Sequence, residues 1–184
     1  VAVLPVKVLY PAQGKQWLGN FLQDELSRQF QLQKHFTALS PGEVNRWFQD
    51  EDADEKQFQS FQQSVKPHWI LELDLQLVLK QLSLTGTFSS TNDKISAQNF
   101  KKILPLEKPD LLVKQVLEHL SRKKKESELI HHPQGYSWEG VEAFYLWKHR
   151  TPVPQVNSEG WKTRAEELET LLSDYSEFSE QVHH

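Results

Sequence analysis

Two stretches of the chain alternate strictly between apolar and polar positions. In Trp69–Leu79, the residues Leu71, Leu73, Leu75, Leu77 and Leu79 alternate with Glu72, Asp74, Gln76 and Val78. In Leu82–Ser90, Leu82, Leu84, Gly86 and Phe88 alternate with Ser83, Thr85 and Thr87. A period of two turns one side of each strand to a core and the other to water. Val1–Leu9 is instead nearly continuous in apolar residues, which predicts a strand buried on both faces in the middle of a sheet. Pro5 cannot donate to a ladder, so regular pairing should end or bend there.

Helical spacing appears between these strands. From Gln16 to Phe30, the residues Trp17, Leu18, Phe21, Leu22, Leu26 and Phe30 form one stripe. Lys34–Leu39 reads as a short second strand. Ser40-Pro41-Gly42-Glu43 is a helix start: Ser40 can cap, Pro41 fits the first turn and Glu43 stands at the capping-box position. That helix carries Val44, Trp47 and Phe48. An acidic break at Asp50–Glu55 separates it from a helix over Lys56–Val65. Lys80-Gln81 and Thr91-Asn92-Asp93-Lys94 are candidate turns, and Ile95–Lys102 is the last expected strand. Residues 1–101 thus predict a β-α-β-α-β-β-β unit.

After Pro105 the period is helical throughout. Asp110–Lys125 carries Leu111, Leu112, Val116, Leu117 and Leu120; Trp138–Arg150 carries Val141, Phe144, Tyr145 and Trp147; Ser158–Leu172 carries Trp161, Ala165, Leu168, Leu171 and Leu172. The last two helices, broken by the prolines of Thr151–Gln155, predict a hairpin.

Composition narrows the function classes. Apolar residues make up 38% of the 184, enough for a core, and formal net charge is −4. An acidic balance gives no general pull on nucleic acid, and none is expected to bind directly. The basic run Arg122-Lys123-Lys124-Lys125 reads as a solvated helix end. Cysteine is absent, which excludes disulfides and thiolate ligands. Methionine is absent as well, and the chain ends in His183-His184. Both ends read as those of an excised fragment, the final histidines as the start of a tag, with any membrane anchor upstream of Val1.

Candidate chemistry is sparse. His131-His132 attracts a metal reading, but adjacent histidines diverge on regular structure and no carboxylate stands at helical spacing from both; a surface loop is the plainer reading. Asp50–Glu55 lacks the glycine and spacing of a calcium loop. Glu72 and Asp74 share one strand face about 7 Å apart, a separation at which two carboxylates can act as acid and base, although an exposed strand carries such residues anyway. No phosphate-loop, dinucleotide, nucleophile-elbow or zinc-protease sequence occurs, so no cofactor is expected. Eight histidines admit a proton-sensing role. Trp138, Phe144, Tyr145, Trp147 and Trp161 are the candidate ligand or interface residues, lining a groove between the helical part and the sheet.

Three stretches carry a family resemblance. The opening VAVLP strand followed by NFLQDELSRQF is similar to the start of TolB-N-like domains. KPHWILELDLQLVLKQLSLTGTF resembles the later hairpin of those domains. GVEAFYLWKHR and WKTRAEELETLLSDYSEF resemble a tetratricopeptide-like helix pair. Together they resemble the periplasmic regions of CadC-like and ToxR-like bacterial transcription activators. The resemblance implies an α/β domain over residues 1–104 and a helical segment with one helix pair over 105–184. It also implies a non-catalytic sensory module in the periplasm, anchored to the inner membrane from outside this fragment. Such a module would self-associate as a dimer and receive a small-molecule or protein signal. The alternative is a cell-envelope assembly or scaffold protein that binds another protein by its sheet edge or helix hairpin. The fold expected is α/β (α+β): a mixed sheet covered by helices on one side, plus a C-terminal helical hairpin.

Overall fold

The computed structural model describes residues 1–9, 15–48, 55–78, 81–91, 96–105, 108–122, 129–149 and 158–178. The turns expected at Lys80 and at 92–94, most of the acidic break, the basic run beyond Arg122, the proline break and His183-His184 lie outside these residues.

The fold is mixed α/β. The sheet strands are β1 (Ala2–Val3), β2 (Lys7–Leu9), β3 (Trp69–Val78), β4 (Gln81–Ser90) and β5 (Gln98–Pro105). Around them stand α1 (Gln16–Gln31), α2 (Pro41–Asn45), α3 (Glu55–Val65), α4 (Pro109–Arg122), α5 (Trp138–Lys148) and α6 (Ser158–Asp174). Sheet order is β1-β3-β4-β5, with β2 also pairing β3. Both β1 and β2 run parallel to β3, whereas β3-β4 and β4-β5 are antiparallel.

Pro5 interrupts the first strand as its chemistry requires, and the interruption is a bulge. Val3 stands opposite Leu71 and Lys7 opposite Asp74, so four steps along the first strand meet three along β3. One extra residue reverses side-chain parity. Val1 and Val3 enter the main core before the bulge; Val6 and Val8 pack on it after. Lys7 and Leu9 are thereby turned to the opposite face and exposed. The expectation of a strand buried on both faces holds for Val1–Leu4 only, and in the ladder β1 and β2 lie at the side of the sheet rather than its middle. Gly19 of α1 fits against this bulge, for a Cβ there would stand 2.8 Å from the Val6 carbonyl oxygen and 2.9 Å from Val8 Cγ2.

Lys34–Leu39 is not a strand. Lys34 and His35 form a turn, and among the described residues 36–39 are tied to Val1 by two bonds: Leu39 N–H donates to the Val1 carbonyl at 2.9 Å, and the Val1 ammonium donates to the Thr37 carbonyl at 2.6 Å. The chain then turns away into α2, whose capping box forms. Ser40 Oγ accepts from Glu43 N–H at 3.3 Å, and the Glu43 carboxylate accepts from Ser40 N–H at 2.9 Å. Trp47 and Phe48 follow α2 rather than lying in it.

The alternation in β3 and β4 separates two cores. Leu71, Leu73, Leu75, Leu82, Leu84 and Phe88 face the larger one, with the whole apolar stripe of α1 and the buried residues of α4 and α5. This core includes residues from both sides of position 104 and reaches Phe178. Gly86 belongs to the same face. A Cβ there would collide with the Phe100 ring and stand 2.7 Å from Leu73 Cδ2, so the missing side chain is the space Phe100 occupies. On the reverse face a smaller cluster joins Ala2, Leu4 and Ile70 to Val44 and Phe61, with Phe48 and Phe58 at its margin. Helices therefore cover both sides of the sheet, the second side only in part. This corrects the one-sided cover expected from sequence.

β5 begins later than expected and runs to Pro105, with Phe100 and Leu104 buried and Asn99, Lys101 and Ile103 exposed. Its parity follows from the pairing of Phe100 with Gly86 and of Leu104 with Leu82.

Candidate functional site

Where the helix cover of the second face stops, the sheet surface stays open. Register places Lys7 beside Asp74, Asp74 beside Thr85 and Thr85 beside Lys101, a charged and polar row across four strands. The row on one side is Leu9, Gln76, Ser83 and Ile103. On the other side lie Glu72, Thr87 and Asn99, where Thr87 Oγ1 donates to Asn99 Oδ1 at 3.0 Å. Phe48 and Phe58, with Glu55 at the start of α3, form the wall toward the helices. Of these rows Lys7, Leu9, Glu72, Asp74, Thr85, Thr87 and Asn99 line an open cleft of about 1060 Å³, which Gln16 and Asn20 of α1 also border.

Electrostatics in the cleft favour one poised group. Partial desolvation raises the Glu72 carboxyl above its ordinary value; the Lys7 ammonium opposes the rise, and the Asp74 and Glu55 carboxylates add to it. Alternation alone put Glu72 and Asp74 on one strand face. The sequence did not disclose that Lys7, Glu55, Phe48 and Phe58 would join them. Lys7 arrives only because the bulge reverses its parity, and the one available signal was Pro5.

The five aromatic candidates from sequence fall elsewhere. Tyr145 and Phe144 are buried in the main core, and Trp138 and Trp147 are half-buried. Phe21 of α1 stands edge-on to Tyr145 at 6.0 Å and to Trp138 at 6.2 Å between ring centroids. Phe144 stacks on Phe178 at 4.6 Å. Tyr145 also donates its hydroxyl to Asp24 at 2.9 Å, and Lys148 reaches the same carboxylate oxygen at 2.6 Å. Burial and the adjoining Asp24 carboxylate hold the Tyr145 phenol well above its ordinary value, so it stays protonated as a donor. Trp147 instead meets α6, with the Arg164 guanidinium 5.0 Å from its ring centre. Trp161 is 48% exposed, not packed inside the α5-α6 pair as its stripe suggested. What holds α6 is its far end, where Leu171, Leu172 and Tyr175 pack on the core and Phe178 enters it. These residues join helices to one another, and none of them lines the cleft.

His131 and His132 lie in an irregular strap, residues 129–137, drawn across α1 and α4. Gln33 and Ile130 exchange two bonds, side-chain Nε2 to carbonyl at 2.8 Å and main-chain N–H to Oε1 at 3.1 Å. Gln29 and His132 repeat the pattern at 2.6 and 2.9 Å. Gln29 lies in the last turn of α1 and Gln33 two residues beyond its end, and they meet alternate residues of the strap. Asp110 accepts from the Gln134 and Tyr136 N–H groups at 3.2 and 3.0 Å. Fully buried Glu25 accepts from Arg28, Gln29 and the Tyr136 hydroxyl, so its charge is paired and its oxygens are occupied. Burial lowers the His131 imidazole, against the pull of Asp110 and Glu25, and its Nε2 is buried without a hydrogen-bond partner among the described residues. Among those residues no group of three His, Asp or Glu side chains is placed to hold a metal ion.

Compared with known proteins, the chain matches no family model, no curated protein and no solved structure.

Proposed function

We propose that this chain is a non-catalytic binding module, the ligand-input domain of a membrane-bound bacterial transcription activator, acting in the periplasm. The observation that carries the reading is the open sheet face: a cleft of about 1060 Å³ that holds Lys7 among the carboxylates of Glu55, Glu72 and Asp74, with Phe48 and Phe58 as its aromatic wall. Clefts that combine apolar walls with a few fixed polar groups are where small ligands are held. The three motif resemblances supply the regulatory setting. Lys7, Asp74 and Glu72 orient the ligand in this reading, and Phe48 and Phe58 cover its apolar part. A signal passes on only if the ligand binds two states of the domain with different affinity, and a change of dimer geometry is the second state the setting requires. Among the described residues no helix is long and apolar enough to cross a membrane.

A thermal-shift screen with amino acids, amines, sugars and nucleotides tests the cleft. A ligand that raises the melting temperature of the wild type and loses its effect in Asp74→Asn, but not in Lys162→Ala on α6, supports the reading. A stabilising ligand indifferent to Asp74→Asn places the site elsewhere and overturns it. Sedimentation at about pH 5.5 and about pH 7.5, either side of the ordinary histidine value, tests the dimer. No stabilising ligand and one unchanged species at both pH values would leave the scaffold reading in its place.

A further inference from the structure

β5 ends the sheet. Its inner side pairs with β4 from Gln98 to Pro105, and no strand pairs its outer side among the described residues. An eight-residue edge whose outer N–H and C=O groups meet no strand among the described residues is a template for another strand. Two side-chain features mark this edge. Ile103 is 63% exposed, the most exposed large apolar side chain described. Beside it stand Lys101 on the open face and Lys102 on the other, and neither has a salt bridge among the described residues. Among the described residues the local charge is thus positive and without an ion pair, on a chain whose net charge is −4.

Lysines on an edge commonly guard against self-association. Here they do so selectively. Two copies of β5 paired antiparallel about Lys101 or about Lys102 would set that lysine against its own counterpart, and like charges directly opposite destabilise a pair. The same lysines favour a strand that brings carboxylates. An apolar side chain opposite Ile103 would remove its exposed surface from water.

We propose that the outer edge of β5 is a docking site for an extended acidic segment of a partner protein, which adds to the sheet as a further strand. Main-chain bonds supply affinity in such strand addition, and alternate side chains supply the choice of partner. The register defines the recognised core: two adjacent acidic residues opposite Lys101 and Lys102, and one apolar residue opposite Ile103. An antiparallel partner reads apolar-acidic-acidic, and a parallel one reads acidic-acidic-apolar. This site uses the sheet edge and does not depend on what the cleft binds.

Fluorescein-labelled peptides test the proposal by anisotropy. Thr-Thr-Val-Glu-Glu-Thr-Thr and Thr-Thr-Glu-Glu-Val-Thr-Thr represent the two directions, with lysine in place of glutamate as control. One acidic peptide should bind and its lysine counterpart should not. The Lys101→Glu, Lys102→Glu double variant should weaken acidic binding about tenfold or more and gain binding of the lysine peptide, since two surface pairs become repulsions. Ile103→Thr should weaken the acidic peptide without conferring lysine binding. N-methylation at alternate peptide amides should abolish binding for one set of positions and spare it for the other. The proposal is overturned if neither acidic peptide binds the wild type, if both methylated sets bind equally, or if charge reversal changes nothing. A wild-type dimer that Ile103→Thr dissociates would make a second copy the occupant and overturn it as well.

Discussion

The strap over α1 offers the sharpest test of the structure, because two glutamines hold main chain about a hundred residues away. The Gln29→Ala, Gln33→Ala double variant loses the Gln29 bond to Glu25 and the Gln33 bond to the Gln29 carbonyl, and beyond these the four bonds to the main chain of Ile130 and His132 on which the test rests. A net hydrogen bond contributes about 0.5–1.5 kcal/mol, so these four together are worth about 2–6 kcal/mol. The lower part of that range applies. Ile130 and His132 are exposed, so water can reach the freed groups, and the His132 carbonyl keeps its bond from Arg28 at 3.0 Å. We expect a loss of about 2–3 kcal/mol, which for a chain of this size lowers the melting temperature by about 5–10 °C. Hydrogen exchange locates the effect. The Ile130 and His132 amides should lose protection, while the Leu129 amide, bonded to Ser121 at 2.9 Å, and the Tyr136 amide, bonded to Asp110, keep theirs. Gln31→Ala, exposed on the same helix, is the control. If the two amides exchange at the wild-type rate in the double variant, or if it melts no lower than Gln31→Ala, the clasp does not hold the strap.

Two further expectations follow from burial and charge. Trp161→Ala should cost well under the roughly 3–5 kcal/mol of a buried tryptophan, whereas Phe178→Ala should cost about 3–5 kcal/mol, because Phe178 is fully buried between Phe144 and Tyr136; paired denaturant melts decide it, and equal losses would refute the account of how α6 is held. His131 and His149 are both lowered from 6.5, chiefly by burial. The unfolded chain therefore binds more protons just below that value, and stability present above pH 6.5 is lost as pH falls toward the lowered folded values. Glu72, raised, acts in the opposite sense, so the variants rather than the wild-type slope decide. Melting curves between about pH 7.5 and about pH 5.5 should be flatter for His131→Phe and His149→Phe than for wild type, and unchanged slopes would refute the assignment.

What could be read from residue order is what neighbouring residues decide among themselves. Strict alternation marked β3 and β4, because a half-buried strand can satisfy one face in no other way. The stripe from Trp17 to Phe30 marked α1, and Ser40-Pro41-Gly42-Glu43 closed its capping box as the local chemistry dictates. Fold class follows from such elements, since each apolar stripe must find another to cover it. The partners of each element were a matter for the tertiary structure. Lys34–Leu39 has the residues of a strand, but it begins in a turn and is tied by two bonds to Val1, just before β1, so it stays outside the ladder. One extra residue at Leu4-Pro5-Val6 sends Lys7 to the open face beside Asp74, and no count along Val1–Leu9 alone reveals which way that parity falls. The aromatic run from Trp138 to Trp147 reads as a groove lining along the sequence, and Phe21 and Phe178, distant in sequence, place Tyr145 and Phe144 in the core. Periodicity reports which side of an element is buried. It carries no information on what lies opposite, because register, strand order and the reach of a glutamine across about a hundred residues are set by packing of the whole chain.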